Sequence, residues 1–126
     1  MKKYCLYLIL HCLLCMLNFQ AYAQASDRNI LFIHSYSENT NGHDHLEDGL
    51  RRGLSDLAIS ANIFTEHLKS ESLFFAEECE AMRAICQRAR ENNVKLIVTV
   101  SDEAFYTLMN CGDSLGYHLP VVVSAI

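Results

Sequence analysis

Two short polar clusters, Ser35-Tyr36-Ser37 and Ser101-Asp102, each stand directly after an apolar run, Asn29 to His34 and Lys95 to Val100. Hydroxyls and a carboxylate at the ends of buried strands are groups that hold a small polar molecule. In open α/β sheets ligands bind beyond the carboxyl ends of the strands, where the strand order reverses. Ser124 and Ala125, at the end of the last apolar run, fall at the same level. Backbone N–H groups at helix starts add donors, so the expected ligand is a neutral polar or anionic small molecule. Ser101 and Asp102 read equally well as the N-cap of a helix, and the two roles are compatible.

Other chemistries find less support. His43-Asp44-His45 with Glu47 and Asp48 suggests a metal, but on a helix His43 and Glu47 share a face while His45 points elsewhere; a solvated acidic helix start explains the same residues. Cys111 and His118 are seven residues apart in an expected loop, a weak basis for a nucleophile pair. Neither GxGxxG nor a phosphate loop occurs in Ser35 to Gly42, and HExxH is missing from the chain. The expected ligand-binding set is therefore Ser35, Tyr36, Ser37, Ser101 and Asp102, with no catalytic residue, metal ligand or cofactor.

The elements that must position this set follow from hydrophobic periodicity. Asn29 to His34 is a near-continuous apolar run, the pattern of a strand buried on both faces of a parallel sheet. A helix over about His43 to Leu57 presents Leu46, Leu50, Leu54 and Leu57, with Asp44, Glu47 and Asp48 at its positive end. Gly49 and Gly53 within it suggest close approach of helix to sheet, since helix-interior glycines otherwise cost about 1 kcal/mol each. Asn62 to His67 alternates and reads as a less buried strand. The helix from about Phe74 to Asn92 carries a stripe of Phe75, Cys79, Met82, Cys86 and Ala89. After the strand Lys95 to Val100, a cap pattern at Ser101 opens a short helix with Phe105, Leu108 and Met109 inward. Cys111 to Leu119 is expected as a loop, and Pro120 introduces a fourth strand, Val121 to Ala125. This βαβαβαβ succession predicts an α/β fold: a doubly wound parallel sheet with right-handed crossovers and strand order 2-1-3-4.

Upstream, Lys2 and Lys3 precede an apolar stretch from Tyr4 to Phe19 and a small-x-small site at Ala21-Tyr22-Ala23. That is a cleavable export signal over residues 1–23, short for a membrane span of roughly 20 residues. The remaining 103 of the 126 residues, 24–126, suffice for one small domain. Removing Lys2 and Lys3 from the ten basic residues leaves eight against fifteen acidic ones, a net charge of about −7. With no basic patch, nucleic acid is excluded as a partner. Cys79, Cys86 and Cys111 remain outside the signal, an odd number that reads as no disulfide framework. Cys79 and Cys86 lie about 10.5 Å apart along a helix at ~1.5 Å per residue, too far to pair. All three are expected as small buried apolar residues.

In order along the chain, NILFIHSYS, LEDGLRRGL, IFTEHL, LIVTVSDEAF and PVVVSAI resemble the periplasmic sensor region of hybrid two-component histidine kinases. That region is similar to the substrate-binding proteins of ABC transporters with the type I periplasmic-binding fold. The resemblance covers Asn29 to Ile126. It implies two α/β lobes closing on a small-molecule ligand, with a missing second lobe as partner and, in the kinase case, a membrane kinase module downstream. An apolar last strand with no helix after it to cover it reads likewise as the first lobe of a longer protein. The expectation is an extracytoplasmic sensing lobe of a sensor histidine kinase, not itself an enzyme. The alternatives are the first lobe of an ABC transporter substrate-binding protein and an exported hydrolase fragment.

Overall fold

A computed structural model describes residues 28–38, 44–113 and 115–124. The expected signal segment, His43 and Ala125 lie outside the described residues. Four parallel strands, β1 (Asn29–His34), β2 (Asn62–His67), β3 (Leu96–Val100) and β4 (Val121–Ser124), pair in the order β2-β1-β3-β4. They are joined by helices α1 (Asp44–Asp56), α2 (Phe75–Glu91), α3 (Asp102–Cys111) and the single turn α4 (Leu115–His118). This is the doubly wound parallel sheet that the alternation of apolar runs and helical stripes predicts.

The topology distributes the helices between the two faces. The chain moves one way across the sheet from β1 to β2, then reverses and passes β1 to reach β3 and β4. With right-handed crossovers, that reversal puts α1 on one face and α2 with α3 on the other. The alternation along β1 matches: Leu31 and Ile33 pack with Met82, Ile85, Ala89 and Leu108, while Ile30 and Phe32 pack with Leu46, Leu50 and Leu54. On edge strand β2, Glu66 receives the Arg88 guanidinium at 2.7 and 2.9 Å, a charged pair that ties the strand to α2 and guards the edge.

Several expectations about the helices need correction. Leu57 lies just beyond α1 and is exposed, and Phe75 at the first position of α2 is exposed as well. Each stripe stops one residue short because the helix end has already left the sheet. Gly49 and Gly53 do not mark a close approach, since a Cβ on either would meet nothing within 4 Å. In α3 the buried face is Ala104, Thr107, Leu108 and Cys111, with Phe105 and Met109 only half-buried. The expected loop from Cys111 contains α4, and Cys111 itself ends α3.

The cysteine expectation is also overturned. Cys79 and Cys111 form a disulfide with Cα atoms 5.1 Å apart, bridging α2 and α3 across 32 residues. Their separation in sequence hid the pairing, but each sits on the buried stripe of its own helix. Cys86 remains a buried free thiol. Its removal from water pushes its pKa up to about 11, so it stays protonated at neutral pH.

Candidate functional site

β1 and β3 lie side by side at the point where the strand order reverses, and both deliver polar residues to the same edge. The edge is organised by one buried hydroxyl. Ser35 continues the alternation of Leu31 and Ile33 and is 0 % exposed. Its Oγ donates to Val100 O at 2.8 Å and accepts from Ala104 N at 2.9 Å. Ala104 is the third residue of α3, and its N–H is one of the orphan donors that every helix start leaves. Ser35 thus caps a helix 69 residues further along the chain. Its hydroxyl is spent inside the fold.

Ser101 occupies the N-cap position but makes no capping hydrogen bond. Its backbone stands at φ 76°, ψ 160°, a region that an L residue adopts at a cost of about 1–3 kcal/mol. Neighbouring strands fix it there: Ser101 N donates to Ser124 O at 2.8 Å, and the preceding carbonyl, Val100 O, accepts from Ser35. The side chain turns to Glu103, whose Oε2 accepts from Ser101 Oγ. Across the crevice, Tyr36 donates its phenol to Glu103 Oε1 at 3.0 Å. The hydrogen bond to Glu103, partial burial and the charge of that carboxylate together raise the Tyr36 pKa, with Ser101 opposing them. Nearby, Glu71 Oε1 accepts from Ser37 N at 3.0 Å, and the Ser37 hydroxyl helps to hold the Glu71 carboxyl below its ordinary range.

The structure therefore brings Tyr36 and Ser101 together on Glu103, with Ser37 close by through Glu71 and Asp102 exposed at the first turn of α3. Ser35 supports them from beneath. Sequence reasoning passed over Glu103, although it stands only two residues after Ser101, because an acidic residue in a first helical turn ordinarily reads as a partner of the helix dipole. It also passed over Glu71, in a stretch with no periodic signal.

Electrostatically the edge differs from the expectation. The amides of Ser37, Ser101 and Ala104 already donate to Glu71, Ser124 and Ser35, whereas the outward groups are carboxylates and hydroxyls. Such a surface accepts hydrogen bonds. It matches a ligand that donates them, such as a polyol or an amine, better than an anion. Among the described residues no group of three or more His, Cys, Asp or Glu side chains is disposed to hold a metal ion, and no helix is long and apolar enough to cross a membrane. A separate apolar groove of about 440 Å³ opens between α1 and strands β3 and β4, lined by Phe32, Leu46, Leu50, Val98 and Val122.

No protein-family model matches this chain, and comparisons with curated proteins and with solved structures give no match either.

Proposed function

We propose that this chain is the extracytoplasmic small-molecule-sensing lobe of a two-component sensor kinase, built on the plan of a type I periplasmic-binding lobe. Its ligand sits at the carboxyl edge of the sheet. The observation that carries this reading is Ser101, held in a costly backbone conformation at the β1–β3 reversal, with its hydroxyl and that of Tyr36 gathered on Glu103. Strain of this kind persists where the surrounding fold imposes it, and it clusters at ligand-holding sites. The acceptor-rich surface favours a hydroxylated or cationic ligand, closed over by a second lobe. The apolar signal-like segment at the start of the chain supports export.

The test is a thermal-shift screen of neutral polyols, amines and carboxylates on the natural polypeptide that carries this lobe, followed by affinity measurements on variants. A ligand from the first two classes is expected. Ser101→Ala, which keeps the strained backbone and removes the hydroxyl, is expected to weaken its binding several-fold, about 1 kcal/mol. Tyr36→Phe is expected to act in the same direction. Unchanged affinity in both variants would remove the ligand from this edge.

A further inference from the structure

Tyr36 is held at both ends, and the second hold comes from beneath the edge. Its main-chain oxygen lies 2.9 Å from His67 Nδ1. A carbonyl oxygen can only accept, so His67 Nδ1 carries the proton and donates it, which fixes the tautomer of the neutral ring. His67 is the last residue of β2 and stands in register with His34 on β1. The two rings stack with centroids 4.8 Å apart and 11° between planes. His34 is 2 % exposed, lies against Phe32, and places Nε2 3.6 Å from Glu47 Oε2. Glu47 is anchored in turn by Arg51 one helical turn away and by Thr65 at 2.9 Å. The contacts run unbroken from α1 through the stacked rings to the Tyr36 carbonyl, and from the Tyr36 phenol to Glu103 on α3.

We propose that His67 is a positioning residue for the candidate site: its Nδ1–H sets the main chain of Tyr36 so that the phenol reaches Glu103. The stack on His34 fixes the plane of the His67 ring, and the Glu47–Arg51–Thr65 cluster fixes His34. The direction of the Tyr36 side chain is therefore decided on the opposite side of β1 from Ser35. This inference rests on the binding reading of the edge, which it extends by naming what aims one of the ligand-facing groups.

The experiment needs no ligand, so it can fail independently of that reading. Phenol ionisation of Tyr36 is followed by ultraviolet absorbance against pH, using Tyr36→Phe as the blank for the other tyrosines. In the unaltered protein Tyr36 ionises above the ordinary phenol value, about 10. His67→Phe keeps an aromatic ring in the stack and deletes the donor; it is expected to bring Tyr36 ionisation down towards that ordinary value. His67→Asn sets an amide nitrogen near the place of Nδ1 and is expected to restore the upward shift. Unaltered Tyr36 ionisation in His67→Phe would overturn the proposal. So would failure of His67→Asn to restore the shift in a protein that melts as the parent does, because the ring would then act by packing alone. If His67→Phe does not fold, His67→Leu, which fills the space with an apolar side chain and no donor, is read in its place with the same expectation.

Discussion

The two faces of the sheet are built to different standards. Beneath α2 and α3, among the described residues, fourteen buried side chains form one cluster closed by the Cys79–Cys111 disulfide. Beneath α1, four buried strand residues meet a row of leucines that are only half-buried, and a groove lies open beside Val98 and Val122. The cause is topological. Two crossovers cover one face and a single crossover covers the other, so α1 spans the β2–β1 half and leaves Val122 51 % exposed. A sheet with one dry face and one half-open face carries most of its stability on the dry side. The polar network around Tyr36 stands on the side with less to lose.

The sharpest test of that contrast is the disulfide. Replacing Cys79 and Cys111 by alanine frees a loop spanning 32 residues in the unfolded chain and is expected to cost about 3–4 kcal/mol in denaturant unfolding. A loss below about 1 kcal/mol would mean that the α2–α3 face does not depend on its bridge. Next come paired truncations. Met82→Ala beneath α2 is expected to cost about 3 kcal/mol, and Leu50→Ala on α1 about 1 kcal/mol, since a half-buried leucine leaves a site that water already reaches. Equal costs would erase the difference between the faces. The smallest effect runs the other way. Gly53 is exposed within α1 with open space where a Cβ would stand, so Gly53→Ala is expected to stabilise by about 0.5–1 kcal/mol. A destabilisation would show that α1 packs closer to a neighbour than its geometry indicates.

The strands were readable from their patterns: β1 runs over the residues that the apolar run marks and β2 over those that the alternation marks, and the sheet has the expected order β2-β1-β3-β4. Helix stripes were readable except at the ends of α1 and α2, where Leu57 and Phe75 continue the period past the last turn that touches the sheet, and in α3, where Ala104 and Thr107 are buried and Phe105 and Met109 only half so. The arrangement of the candidate site was half readable. Small polar residues after β1 and β3 located the edge, but not what each one does. Ser35 shares the face of Leu31 and Ile33, and that period of two is a signal that its hydroxyl points into the core. The role of Glu103 depends on the backbone angle of Ser101, which no local pattern announces. His67 acts through a carbonyl 31 residues away, a contact set by strand register. The cysteine pairing was hidden in the same manner, since it needs the relative placement of two helices and not the period of either.

The Ser35 hydroxyl also orders events in time. Its two partners, Val100 and Ala104, lie 65 and 69 residues downstream, so these hydrogen bonds close some of the longest loops in the fold, and contacts of high sequence separation form slowly. β1, α1 and β2 can associate while the rest of the chain is still arriving. The turn at Ser101 has no such freedom, because its backbone is held only once β1 waits in place and β4 has docked beside β3. The carboxyl edge therefore takes its final shape only after residues as far along the chain as Ser124 have been placed.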